Sequence, residues 1–405
     1  MKESIPLKVG LRVALLIPCA AALVYGSYVS LRLSYADLLF HKNTTASVQR
    51  AAEIEPRNGR YQAWLAELLE NDGRDGTRAL NEAARLNPLD SRVWIRLGLN
   101  AETAGDRGRA ERLLLHAASI DRLFEPRWAL MNFYFRCGNE EQFWNWARQA
   151  FRISYGDRAP MFELCWRMRE DAALMEAKAL PADGPLLTQF VRFLAEKGRL
   201  VEAAALSERL VAQARPEDAD AFKNVAERLA EAGDMARAVR LWNALCDRRL
   251  LPFAPLDPAR GQSVTNGSFA EDPTGAGFDW RVTPATGVSS GRMTASGGYR
   301  FTFAGTQPDA CDLIAQTVPL EPSRSYRLRL SYRTSGISGA SGLRLHALDG
   351  AVMDLASDEW TTATLLFSSG ASRAGTITVD YRRPAGAVRI EGRLELREVV
   401  LEFAP

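Results

Sequence analysis

The stretch 90–122, DSRVWIRLGLNAETAGDRGRAERLLLHAASIDR, decides the fold. Trp94, Leu97 and Gly98 fall at helix spacing, Gly105 ends that helix, and Ala110, Leu114 and Ala117 line a second one. Bulky residues on one helix facing small residues on the next let two antiparallel helices pack closely. A single hairpin of this kind cannot bury its apolar stripe, so it predicts neighbours like itself. They follow directly. Pro126, Trp128, Met131, Phe135, Gly138 and Ala150 restart the pattern. Leu187, Val191, Gly198 and Ala203 repeat it, and then Phe222, Val225, Gly233, Ala238 and Trp242. Upstream, 81–88 (NEAARLNP) and 51–56 (AAEIEP) read as second helices closed by proline.

This pattern resembles the tetratricopeptide repeat, which carries Trp, Leu-Gly, a mid-turn Gly, two Ala and a closing Pro in about 34 residues. Residues 91–124 match best, then 125–157 and 218–250, then 57–90 and 184–217; 158–183 match poorly, and Arg122 stands where the family has Pro. The resemblance covers about half the chain. It implies a right-handed solenoid with a concave groove for a peptide or protein partner, and no chemistry of its own.

A chain of 405 residues exceeds one ordinary core, so two or three domains are expected. The 51 basic and 49 acidic residues nearly cancel, and they interleave along the helices. That argues against a nucleic-acid partner, which needs a concentrated basic face. Five scattered cysteines without a Cys-x-x-Cys pair argue against a metal site or disulfide framework, although Cys137 and Cys165 could meet across hairpins.

Between Arg12 and Arg32 the run VALLIPCAAALVYGSYVSL carries no charge and has the length of a membrane-crossing helix. Lys2, Lys8 and Arg12 precede it, which places residues 1–32 as a cytoplasmic tail and span, with the rest outside. In a Gram-negative cell this is a single-pass inner-membrane protein with its bulk in the periplasm. Two other readings stay open. Small residues at 20–22 suit a cleaved signal, but the apolar run continues past them; Cys19 suits lipidation, but Pro18 precedes it. The pattern after the span (Leu31, Tyr35, Leu38, Leu39) suggests that the membrane helix continues into the first repeat.

Residues 33–250 are expected to form the solenoid. Its resemblance implies groove positions at Arg92, Ile95, Leu99, Glu102 and Thr103, and at Asp220, Lys223, Glu227 and Glu231, with Thr188, Arg192 and Glu196 between. This is a mixed groove without a basic clamp. The aromatic cluster Phe133, Tyr134, Phe135, Phe143, Trp144 and Trp146 exceeds one hairpin's need and suggests an exposed apolar patch.

At Leu251 the composition changes: 251–261 (LPFAPLDPARG) reads as a linker, and 262–405 as strands. Segments 326–332, 343–348, 360–367, 376–381 and 387–403 alternate or run with β-formers between Gly, Ser and Pro turns, the mark of an antiparallel sandwich. The runs 266–269 (NGSF), 277–280 (GFDW), 316–320 (QTVPL) and 392–401 (GRLELREVVL) resemble carbohydrate-binding modules with a galactose-binding-like jelly roll. Asp279, Trp280 and Arg281 would supply an aromatic face and hydrogen-bonding groups for a sugar, yet on a strand Trp280 points away from the other two, as a core residue, and Trp360 too is expected in the core.

No enzyme is expected. His41, His116 and His346 lie in separate segments, and neither a phosphate loop nor a nucleophile elbow is present. No cofactor is implied. The architecture (transmembrane helix, α-solenoid of helical hairpins, antiparallel β-sandwich) resembles proteins that accompany bacterial surface-polysaccharide production. The expected role is an extracytoplasmic scaffold binding a protein partner through the solenoid. The competing expectation is a glycan-binding protein whose sandwich holds sugar and whose solenoid is a spacer.

Overall fold

The computed structural model describes residues 7–294, 296–337 and 341–404. Lys2 falls outside them, and so do the side chains of Lys8 and Arg12. Fourteen α-helices precede two antiparallel sheets among the described residues. The chain divides into two compact units, Met1–Pro181 and Ala182–Pro405.

The first unit holds α1 (Leu7–His41), α2 (Thr45–Ile54), α3 (Gly59–Asn71), α4 (Thr77–Leu86), α5 (Ser91–Thr103), α6 (Arg107–Ile120), α7 (Phe124–Cys137), α8 (Glu140–Ile153), α9 (Ala159–Met168) and α10 (Ala172–Lys178). The α5–α6 hairpin shows how the sequence builds it. Asp90 and Asp106 cap the two helices by accepting from the amides of Arg92 and Arg109. Gly105 adopts φ +85° in the turn, a conformation that L side chains disfavour. Leu97, Gly98, Ala110, Leu114 and Ala117 close the seam, all buried. The poorly matching stretch 158–183 contains only α9 and the seven-residue α10. Phe133, Tyr134, Phe143 and Trp144 are buried, and Arg167 lies over the Phe135 ring, so most of the aromatic cluster is core and no broad patch remains. Cys137 and Cys165 are free thiols; burial pushes the Cys165 thiol far above its ordinary range.

One helix among the described residues, α1, is long and apolar enough to cross a membrane. Leu16, Ile17, Leu23, Val24, Tyr25 and Leu31 all project outward. The same helix then buries Ala36, Leu39 and Phe40, Phe40 stacking on Tyr61 of α3 at 4.8 Å. The apolar helix is thus continuous with the first hairpin. Arg32 fastens the transition, donating to the Ile54 carbonyl and pairing with Glu55 at 3.1 Å. Because both partners are partly solvated, the pair is worth less than about 1 kcal/mol. Arg32→Ala is expected to leave the melting temperature nearly unchanged while speeding amide exchange at the end of α2. Unchanged exchange there would show that burial of Leu39 and Phe40 alone fixes the joint.

The second unit opens with α11 (Gly184–Glu196), α12 (Leu200–Leu210), α13 (Ala219–Glu231) and α14 (Met235–Asp247). The segment 251–261 is packed: Leu251 and Leu256 are buried, and the Leu256 amide and carbonyl both bond the Asn243 side chain. The strands are β1 (Arg281–Val282), β2 (Val288–Arg292), β3 (Tyr299–Ala304), β4 (Ala310–Pro319), β5 (Ser325–Ser335), β6 (Leu343–His346), β7 (Val352–Asp354), β8 (Thr361–Ser368), β9 (Ala374–Arg382) and β10 (Glu391–Phe403). Five form a sheet in the order β1-β4-β9-β6-β7, and five in the order β2-β3-β10-β5-β8. Alternate residues such as Phe301, Leu328, Leu330, Val379 and Leu394 fill the space between them, with Trp280, Tyr326 and Tyr381.

Glu395 of β10 is almost fully buried on the outer side of its sheet, between Arg300 of β3 (2.7 Å) and Arg333 of β5 (2.5 Å). Burial pushes its carboxyl up, but the hydrogen bonds and charges of Arg333 and Arg300 outweigh that and hold it below the ordinary carboxylate range. A carboxyl with a lowered folded pKa contributes stability above its unfolded pKa and loses it as pH falls through the folded value. Glu395→Gln is therefore expected to cost about 1–2 kcal/mol near neutral pH, discounted for the half-exposed arginines, and less at an acidic pH below the ordinary carboxylate range. Thermal melts at the two pH values check this; a loss of equal size at both would contradict the ionic origin.

Candidate functional site

The groove of the first unit is built from one face of α3, α5 and α7 and the end of α1. Residues three, four and seven apart bring Arg60, Ala63, Trp64 and Glu67 of α3 to that face. Arg92, Ile95, Arg96 and Leu99 of α5 stand beside them, followed by Glu125, Trp128, Ala129, Asn132 and Arg136 of α7. Together with Phe40 and His41 they enclose about 1190 Å³.

Its charges are mostly paired. Arg96 reaches Glu67 at 2.7 Å and also holds Glu70, whose second oxygen accepts from Asn100. Arg136 makes two parallel bonds of 2.7 Å to Glu102, and Arg92 pairs with Asp90 at 3.0 Å. Such pairs fix long side chains in place more than they add stability. Trp64 donates from Nε1 to the Asn43 side chain at 2.6 Å, and the Arg60 guanidinium lies 4.9 Å from the Phe40 ring centre. The exposed Leu99 and the half-buried Ile95, Trp64 and Trp128 leave apolar surface between fixed polar groups. Asn132 donates to the Trp128 carbonyl, which leaves its other amide hydrogen to offer a ligand.

The structure brings Arg92, Ile95 and Leu99 into this groove and sets Glu102 behind Arg136. Lys223 and Glu227 belong to the other compact unit. Lys223 pairs with Asp220 at 2.7 Å, and Glu227 accepts from Arg281 and from the Gly277 amide, so the sandwich covers it. Thr188 is buried and bonds its own helix at the Gly184 carbonyl. Trp64, Trp128 and Asn132, none of them expected in the groove, line in α3 and α7 the face that Ile95 and Leu99 line in α5. A shift of 33 residues carries Ile95 and Leu99 to Trp128 and Asn132, while Trp64 lies 32 residues before Arg96.

The three residues expected to meet a sugar do not reach solvent as a group. Trp280 is 1% exposed and donates to the Asn266 carbonyl from the core. Asp279 is fully buried and accepts from the Thr274 amide at 2.7 Å; burial pushes its carboxyl up. Arg281 is occupied by Glu227 and the Gly277 carbonyl. The short loop entering the two-residue β1 turns Asp279 and Trp280 inward and leads the partly exposed Arg281 to Glu227 of α13. Trp360, expected in the core, lies instead on the outer side of the second sheet against Arg333 and Arg397.

No protein-family model and no curated protein matches the chain. Among solved structures, a CBM4 carbohydrate-binding module is 15% identical over 35% of this chain and all of its own, with a TM-score of 0.28. The tetratricopeptide-repeat protein YrrB, described as having an unusual peptide-binding site, is 18% identical over 50% of this chain and 92% of its own, at 0.23. An IFIT1 monomeric mutant solved with Gppp-AAAA is 18% identical over 50% of this chain and 45% of its own, at 0.29. The likenesses follow the helical repeats and the paired sheets, and at these scores carry no argument about function.

Proposed function

We propose that the chain is a membrane-anchored adaptor without catalytic chemistry, whose repeat groove holds an extended peptide segment of a protein partner. The observation that carries this is the groove itself: apolar side chains at Ile95, Leu99, Trp64 and Trp128 separated by guanidiniums and carboxylates already paired to each other. Paired charges select against a highly charged ligand, while regularly spaced apolar and amide groups suit an extended backbone with alternating side chains. The bare apolar part of α1 supports anchoring, and the basic residues before it support a cytoplasmic amino terminus with both compact units outside. In this reading the chain brackets membrane-bound machinery, and surface-polysaccharide assembly is the setting the architecture suggests. The Arg-rich face of the second sheet favours a second activity, glycan binding.

Panning a random peptide library against the full chain in nanodiscs tests the groove. Selected peptides are expected to bind Trp128→Ala and Ile95→Glu at least about tenfold more weakly. Peptides indifferent to both substitutions, or none selected, would overturn the reading. An alkaline phosphatase fusion after residue 260 tests the topology; it is expected to be active, and an inactive but stable fusion would place the bulk in the cytosol.

A further inference from the structure

Six arginines crowd the outer side of the sheet β2-β3-β10-β5-β8. The register sets Arg300 beside Glu395 and Glu395 beside Arg333, and in the adjacent outward row Thr302, Arg393 and Ser335 lie side by side. Farther along, Arg327 and Arg329 of β5 reach Glu402 at 3.6 and 3.4 Å. Arg397 stands in the β10 irregularity and lies 4.1 Å from the centre of the Trp360 ring, with Arg333 at 5.2 Å. The register puts Glu391, Glu395 and Glu402 on this face, and Glu398 stands in the same irregularity as Arg397, so the six arginines outnumber the four carboxylates. Arg300, Arg329 and Arg333 keep side-chain exposures of 42%, 46% and 38% despite their ion pairs, which leaves donors facing out.

Next to the arginines is a hollow of about 390 Å³, lined by Ser289, Ser290, Thr294, Arg300 and Thr302. Gly291 pairs with Arg300 across β2 and β3, and a Cβ added there would meet nothing within 4 Å. A side chain at position 291 would therefore project into open space at the hollow. Ser331, Thr362 and Thr364 continue the hydroxyl-bearing surface across β5 and β8.

We propose that this face binds a carboxylate-bearing polysaccharide, a polyuronate chain lying across β3, β10 and β5 with sugar hydroxyls in the hollow. Arginine's planar fork matches a carboxylate with two parallel bonds, as Arg136 makes to Glu102 in the helical unit. Stacking on Trp360 holds the Arg333 and Arg397 guanidiniums by their faces; Arg333 gives Nε and Nη2 to Glu395 and keeps Nη1, while Arg397 Nε is buried. Single-stranded nucleic acid would need free aromatic faces for its bases, and the Trp360 ring is already taken by arginines. A bilayer would need apolar side chains to insert, and among the large apolar side chains of these strands Leu366 stands out alone as exposed. The proposal deepens the glycan activity and does not depend on what the groove holds.

The test uses the full chain in nanodiscs of zwitterionic lipid, with polygalacturonate, a neutral β-glucan, polyphosphate and phosphatidylglycerol vesicles as probes in interferometry. Polygalacturonate is expected to bind at least about tenfold tighter than the glucan, and more weakly as salt rises. Arg329→Gln with Arg393→Gln is expected to weaken it at least about tenfold, and Gly291→Gln, which fills the hollow, about threefold. Arg112→Gln, an exposed position in the helical unit, is the control expected to change nothing. Circular dichroism verifies that each variant is folded. Equal affinity for glucan and polygalacturonate, or folded face variants that bind like the parent, would overturn the proposal. Tighter binding of polyphosphate or of the vesicles would overturn it too, assigning the face to phosphate polymers or to lipid.

Discussion

Gly277→Val is expected to destabilise the second unit by about 3–4 kcal/mol, the largest single effect foreseen here. Gly277 has φ +61°, a conformation costly to a β-branched residue. A Cβ built there would lie 2.3 Å from Cζ3 of Trp242, whose side chain is fully buried. Trp242 cannot swing away: Phe253 stacks on it at 6.0 Å and Phe278 meets it edge-on at 5.7 Å. The same loop is tied to α13, since Glu227 takes both the Gly277 amide and the Arg281 guanidinium. Backbone strain and overpacking therefore act at one point, where α13 and α14 meet the sandwich. Urea denaturation of the full chain, followed by tryptophan fluorescence, reads the loss. Adding Trp242→Leu is expected to recover the packing part but not the backbone part, so the pair should be non-additive. A Gly277→Val protein within about 1 kcal/mol of the parent would mean that this loop is free to move off Trp242.

That joint also shows where reading the chain stops. Helix periodicity correctly gives Glu227 an outward position on α13, but nothing local says that residues about fifty positions later fold over it. The hairpins were legible because Leu97, Gly98, Ala110 and Leu114 solve a packing problem within thirty residues. Strands β5, β8, β9 and β10 were legible because their alternation is regular; β2 was not, since VSSGR has the composition of a turn. The segment 251–261 reads as a linker from its prolines, and its anchoring by Asn243, which bonds both polar groups of Leu256, has no local signal. Trp360 looked like a core residue because large aromatics usually are. Its cover comes from two arginines, one on β5 and one in the β10 irregularity, and only the register brings them together. The candidate groove was half legible: α5 gave its residues, while the weaker match of α3 hid Trp64.

Gly98→Leu should separate packing from propensity in the first unit. A Cβ at position 98 would stand 2.8 Å from Cγ and 2.9 Å from Cδ2 of Leu114, which is fully buried, and 3.4 Å from the Ala110 carbonyl oxygen. Alanine there gains about 0.5–1 kcal/mol of helix propensity but must displace Cγ of the buried Leu114, so Gly98→Ala is expected to lose about 1 kcal/mol. Leucine gains no more propensity and adds three carbons where α5 and α6 are in contact, so a loss of about 2–3 kcal/mol is expected. Because α5 also carries Arg92, Ile95 and Leu99, forcing it from α6 shifts the groove floor. Peptide affinity should fall even at temperatures where the variant stays folded. Leu114→Ala supplies the missing space, so Gly98→Leu with Leu114→Ala is expected to regain more than half the lost stability. If leucine at 98 were tolerated as well as alanine, the close approach of the two helices would not be what this glycine is for, and the hairpin at 90–122 would need another explanation.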